Sequence, residues 1–141
     1  RLANASEKFI GIKEATGDLI QTTRIVKNKP DHFFVVSGDD EIVIPMISVG
    51  GEGVISVIGN ALPSEFSKLI KAALSEDYVE SRRINNHIYD LHKWLYIEGN
   101  PVGIKSAMQI LGFCSNEVRL PLHSMSSENM KHLEKALKAI L

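Results

Sequence analysis

Short apolar runs alternate with polar, glycine-bearing segments along the first third of the chain. Phe9-Ile10-Gly11-Ile12 is one run, Phe33-Phe34-Val35-Val36 is the second, and Val54-Ile55-Ser56-Val57-Ile58 is the third. Each is rich in β-branched or aromatic residues. The first two have almost no alternation, which is how strands buried on both faces of a parallel sheet read. A helical pattern follows each run. Asp18 is placed to cap a helix over 19–28 that ends before Lys29-Pro30. Asp40 or Glu41 is expected to open a second helix, which Gly50-Gly51 stops. Pro63-Ser64-Glu65 starts a third, running to Leu74. Strands about 20–25 residues apart with helices between them predict tight βα units.

Beyond residue 76 the strand pattern stops. Ile84, Ile88, Leu91 and Leu95 fall on one face of a long amphipathic helix over 78–97. Asn100-Pro101 is expected to open a helix with proline at its first position, and Gly112 to close it. Arg119-Leu120-Pro121-Leu122 reads as an extended connection. Ser126 caps a last helix, with Glu128 near its start and Lys135 and Lys138 near its end, as the helix dipole favours. The expected division is three βα units over 1–75 and a helical extension over 76–141.

Three parallel strands alone would leave unpaired backbone at both edges of the sheet. Their faces are also too apolar for water. Further chain upstream, or a second copy, is therefore expected to cover them. Arg1-Leu2-Ala3 reads as the tail of an earlier helix, in keeping with an upstream cut.

Composition narrows the class. The 141 residues are 44% hydrophobic, enough for a packed core. Sixteen basic side chains face seventeen acidic ones, for a net charge of -1. That balance supplies no field for nucleic acid or an anionic membrane. No apolar run approaches the roughly 18 residues of a membrane span. Arg1-Leu2-Ala3-Asn4 lacks a signal pattern. The lone Cys114 excludes an intramolecular disulfide and fits a reducing compartment, so a cytoplasmic location is expected. Asn4-Ala5-Ser6 is formally a glycosylation sequon, but nothing else in the chain points to secretion.

Lys13 closes the first apolar run, at the end of a parallel strand where ligands bind. An amine there loses hydration, and a lysine that is neutral part of the time can attack a ketone and form an imine. The plainer reading is a lysine that ends the strand in solvent, and position alone does not separate the two. Ser37-Gly38-Asp39-Asp40 ends the second strand. Its glycine either lets backbone approach a small ligand or simply makes a turn before a helix cap. Gly50-Gly51-Glu52-Gly53 closes a helix and opens a strand, the reverse of a phosphate loop, which argues against nucleotide binding.

No metal site is expected. His87 and His92 are five apart and fall on different helix faces, while His123 and His132 lack a partner at ligand spacing. The histidines read as surface or interface residues and Cys114 as a small packed one. Trp94 and Tyr96 suit packing or an intersubunit contact.

Three motifs taken together are more specific. Gly11-Ile12-Lys13-Glu14-Ala15-Thr16-Gly17-Asp18, Ser37-Gly38-Asp39-Asp40, and Gly53-Val54-Ile55-Ser56-Val57 with Asn60 resemble the dihydrodipicolinate synthase family, in the same order and at similar spacing. Glu98-Gly99-Asn100-Pro101 with Lys105, and Arg119-Leu120-Pro121-Leu122, resemble that family's C-terminal helices. The resemblance implies an α/β fold, the C-terminal part of a (β/α)8 TIM barrel: its sixth, seventh and eighth strands and a helical extension. It implies that Lys13 forms a covalent imine with pyruvate, without a cofactor. The resulting enamine would attack aspartate semialdehyde and give a hydroxy-tetrahydrodipicolinate on the way to diaminopimelate and lysine. It places the backbones of Gly38 and Ile55 in the pyruvate pocket, with Asn60 a further candidate for that wall. It implies a homo-oligomer, commonly a tetramer built from dimers.

The family's paired threonines, relay tyrosine and carboxylate-binding arginine lie in the other half of the barrel. Tyr78, Tyr89 and Tyr96 do not match the relay position, so this piece alone is expected to be inactive. Gly103 stands where relatives often carry proline, and is expected to soften a turn there. The alternatives are a sister pyruvate aldolase, acting on N-acetylneuraminate or a 2-keto-3-deoxy sugar acid, and a non-catalytic half-barrel module.

Overall fold

Gly11–Glu14 (β1) and Phe34–Ser37 (β2) form a parallel pair in the register Gly11 with Phe34 through Glu14 with Ser37. The computed structural model describes residues 1–141. Packing divides them into two compact units, Arg1–Ser56 with Ser67–Ser81, and Val57–Phe66 with Arg82–Leu141.

In the first unit the helix Leu2–Ala5 (α1) precedes β1. The crossover to β2 is Leu19–Asn28 (α2), with the bounds its sequence predicts. Asp18 Oδ1 accepts from the backbone of Ile20 at 2.8 Å and of Gln21 at 3.1 Å, satisfying two of the first-turn donors. Lys29 Nζ donates to Phe33 O at 2.7 Å and pairs with Glu52 at 3.0 Å, below the start of β2.

Two strand expectations are corrected. The third run is not a strand but a single parallel bridge, Val54 with Ser37. Residues 52–55 bond β2 through Glu52 N to Val35 O, Gly53 O from Ser37 N and Ile55 N to Ser37 O, each at 2.8 Å. With a partner on one edge only, that ladder is too short to extend. Nor are the runs buried on both faces: Ile10 is 59% exposed and Ile55 55%, and Phe9, Ile12 and Phe34 are also accessible. The buried face carries Val35, Val43, Met46 and Ile47.

The next helix is Val43–Ser48 (α3), and neither Asp40 nor Glu41 caps it. These residues are used first in a turn. Ser37 Oγ donates to Asp39 O at 2.7 Å, and Asp39 Oδ1 accepts from Glu41 N at 2.9 Å. Such side-chain bonds favour a turn over helix. Gly50, at φ 101°, ends α3 as expected, and Gly51 N returns to Met46 O at 2.9 Å.

Pro63–Leu74 (α4) and Tyr78–Tyr96 (α5) match their expected spans closely. In the second unit, a 3-10 turn at Ile58–Asn60 is followed after α5 by Val102–Ile110 (α6) and Ser127–Ile140 (α7). Ile84, Ile88, Leu91 and Leu95 are all buried, as their spacing predicts. Ser126 Oγ caps α7 through Asn129 N at 3.3 Å. Glu98 reaches the same end, accepting from Ser126 Oγ at 2.6 Å and from its backbone at 3.1 Å.

Four details differ from expectation in this unit. Pro101 is the cap rather than the first helical residue, because its backbone (φ −95°, ψ 16°) is not helical. Gly103 does not soften a turn: a β-carbon there would collide with the Leu95 carbonyl, so the missing side chain permits a close approach of α6 to α5. His92 is buried on α5, on the face that carries Leu91 and Leu95, rather than at a surface. Cys114 is exposed, because it follows the end of α6 in an irregular segment. Trp94 stacks on His132 with centroids 4.8 Å apart. No helix is long and apolar enough to cross a membrane.

Candidate active site

Lys13 is the third residue of β1, opposite Val36. Strand alternation sends Lys13 and Ala15 to one side and Glu14 to the other. The Lys13 side chain is exposed, but its aliphatic part is held closely. A β-carbon built on Gly38 would stand 2.5 Å from Ala15 Cβ, 2.7 Å from Lys13 Cε and 3.1 Å from Lys13 Cγ. Gly38 therefore has no side chain because Lys13 and Ala15 occupy that space. Its N–H donates to Glu14 O at 2.6 Å and continues the parallel ladder one step past the lysine.

Ile55 joins the same end of the sheet through its N–H to Ser37 O at 2.8 Å, and its side chain is exposed. Lys13, Gly38 and Ile55 thus lie at the C-terminal ends of three adjacent backbone segments, the end at which parallel α/β folds bind ligands. Asn60 belongs to the second unit, in the 3-10 turn, where its Nδ2 donates to Val57 O at 3.0 Å. No group of three or more His, Cys, Asp or Glu side chains is placed to hold a metal ion. A cleft of about 770 Å³ in the first unit flanks β1 and α2 beside Phe9, Gly11, Ile12, Arg24 and Ile25. Neither Lys13 nor Gly38 lines it.

Sequence reasoning passed over Glu14. It is 3% exposed and points away from Lys13 toward α2. Its Oε1 accepts from Thr16 N at 3.0 Å, Thr16 Oγ1 at 2.6 Å and Gln21 Nε2 at 3.1 Å. Its Oε2 accepts from Thr22 Oγ1 at 3.3 Å. Burial by itself would raise the pKa of this carboxyl, but the bonds from Thr16, Gln21 and Thr22 outweigh it and hold the group below the ordinary carboxylate value. The available signal was spacing: three polar residues two, seven and eight positions after an acidic strand end, two of them in the first turn of the next helix.

Residues 1–140 match the dihydrodipicolinate synthetase family. The 4-hydroxy-tetrahydrodipicolinate synthase of Cytophaga hutchinsonii is 45% identical over 136 residues, covering 96% of this chain and 46% of the relative. The enzyme of the same name from Aquifex aeolicus is 43% identical over 138 residues, covering 98% of this chain and 47% of the relative. The crystal structure of dihydrodipicolinate synthase from Aquifex aeolicus superposes with a TM-score of 0.94 at 43% identity, over 97% of this chain and 47% of that one. The enzyme from Cyanidioschyzon merolae, crystallised with lysine bound, gives a TM-score of 0.92 at 31% identity, over 99% and 48%. These solved relatives are TIM-barrel enzymes, and a two-stranded parallel sheet with its helices fits a partial barrel. The chain spans about half the length of the curated relatives it matches.

Proposed function

From the premise that this chain belongs to the dihydrodipicolinate synthetase family, a family of lyases, we propose that it supplies the C-terminal part of a (β/α)8 barrel that condenses pyruvate with aspartate semialdehyde. Its βα units and the 52–55 segment occupy the last three strand positions, and the helices from α5 onward form the extension.

In this reading the unprotonated Lys13 amine attacks the C2 carbonyl of pyruvate, and loss of water leaves an imine. Once protonated, the imine nitrogen draws electrons from C2, so the C3 methyl releases a proton and becomes an enamine carbon. That carbon bonds to the aldehyde carbon of aspartate semialdehyde. The product amine cyclises onto C2 and displaces Lys13, which regenerates the enzyme. The imine does the work of an electron sink, so no cofactor is required. The backbones of Gly38 and Ile55 border the pyruvate. The remaining proton-transfer groups come from the other half of the barrel, and the complete enzyme is a homo-oligomer.

The observation that carries this reading is the slot at the end of β1, where Ala15 and the bare Cα of Gly38 hold the stem of Lys13. The synthase name of the relatives supports it over a sugar-acid aldolase. Borohydride added to the full-length protein with pyruvate is expected to leave a reduced adduct on Lys13. An adduct on another lysine, or turnover of N-acetylneuraminate and none with aspartate semialdehyde, would overturn the reading.

A further inference from the structure

We propose that Glu14 is a positioning residue for the Lys13 amine: its buried carboxylate ties the Thr16–Asp18 turn and the first turn of α2 to the end of β1, and so fixes the slot in which Lys13 lies. This inference rests on the reading of Lys13 as the imine-forming lysine.

Four donors converge on one carboxylate, and they come from two places. Thr16 contributes its backbone N–H and its hydroxyl, while Gln21 and Thr22 contribute side chains from α2. The turn is bound a second time, since Asp18 caps the helix, and the single Thr22 hydroxyl proton is shared between Glu14 Oε2 and Asp18 O, the latter at 3.1 Å. Ala15 is the residue bracketed by these anchors, with Glu14 before it and Thr16 after it. Its Cβ forms one side of the slot, 2.5 Å from where a Gly38 Cβ would stand, next to Lys13 Cε. The backbone of Glu14 holds the other side, because its carbonyl accepts the Gly38 N–H at 2.6 Å. Loss of the carboxylate would remove the common acceptor of these donors and loosen the Ala15 wall. Lys13 itself has four rotatable bonds and is exposed, so these walls along its stem narrow where the nitrogen sits.

The hub acts through geometry, and an amide of the same shape can replace it. Gln accepts from Thr16 and Gln21 through its oxygen and donates to Thr22 Oγ1 through its nitrogen. The test uses the full-length protein and reads single-turnover imine formation at saturating pyruvate, trapped with borohydride and mapped to Lys13. In Glu14→Ala the rate constant is expected to fall about 10–100-fold while the adduct still reaches one per folded chain, since a displacement near 1 Å costs on that order. Glu14→Gln is expected within about threefold of wild type. If Glu14→Ala does not fold, Thr16→Val, which removes one hydroxyl donor, carries the test with an expected drop of about threefold to tenfold.

A purely structural role would lower adduct yield or melting temperature with the rate constant unchanged, and that result overturns the proposal. Glu14→Gln as slow as Glu14→Ala also overturns it, since charge rather than geometry would then be at work. Failure of wild type to trap pyruvate on Lys13 sinks the underlying reading instead. Trapping on Lys13 with indifferent variants sinks this inference alone.

Discussion

Gly38 borders Lys13 so closely that a single added methyl would stand 2.7 Å from Lys13 Cε. The contact sets a hard limit on the second strand end, because Ala15 Cβ lies 2.5 Å from the same point and blocks escape sideways. Something must shift, and the flexible lysine stem shifts more easily than backbone.

Gly38→Ala should therefore displace the amine rather than unfold the protein. The expected result is a loss of pyruvate imine formation of about 10²-fold in the full-length enzyme. Borohydride trapping kinetics at Lys13 measure it, and a rate within twofold of wild type would remove Gly38 from the site.

Gly103 makes the opposite prediction, a stability effect with little change in chemistry. A β-carbon at 103 meets the Leu95 backbone, which cannot rotate away. Gly103→Ala should destabilise by about 1–3 kcal/mol, the usual range for forcing an extra carbon into close packing. Urea unfolding of the two forms, compared at constant slope, reads it directly.

How far these features were readable from the sequence depends on the range of the interaction. Asp18 before α2, Ser126 before α7 and the 84-88-91-95 stripe act within a few residues, and periodicity and cap chemistry suffice to find them. The late start of α3 was missed because Asp39 and Ser37 bond locally before a helix can use them. The Gly103 contact was missed because the partner carbonyl is eight residues away on a different helix, and no local pattern encodes it. The strand faces misled for another reason. Phe9, Ile10, Ile12 and Phe34 are apolar as in a closed barrel, whereas this half of the matched length leaves them accessible. Lys13 and Gly38, which the structure sets side by side, were singled out by their motifs. The Glu14 hub was not, because its meaning lies in how α2 folds back on β1.

Acid should weaken the fold through two carboxylates. Hydrogen bonds from Ser126 and Asn129 lower the pKa of Glu98. At Glu14 burial works the other way but is outweighed by its four donors. A folded value below the ordinary 4.5 means that the unfolded chain binds protons first as the pH falls. The stabilisation is therefore fully present above that value and is lost as the pH drops through the lower folded values. Denaturant midpoints followed from about pH 7 to about pH 3 should decline below about 4.5. Glu98→Gln should flatten that decline, and an unchanged acid limb would show that Glu98 titrates alike in both states.

The accessible apolar strip predicts how residues 1–141 behave on their own. Ile10, Ile12, Phe34 and Ile55 lie exposed at a sheet in which β1 has a strand neighbour on one side only. An open edge of this kind recruits another chain. The isolated chain should therefore self-associate with rising concentration, and sedimentation velocity would show it. Replacing Ile10 and Ile12 with lysine should reduce the association, because charge on an edge strand opposes pairing. The isolated chain should also lack synthase turnover, since general acid–base steps contribute about 10²–10⁴-fold and their groups come from the other half of the barrel in the proposed enzyme. Mixing it with the N-terminal half of a relative should suppress self-association and restore measurable condensation of pyruvate with aspartate semialdehyde. A monodisperse monomer, or full turnover from the isolated chain, would contradict the view that these faces are built to be covered.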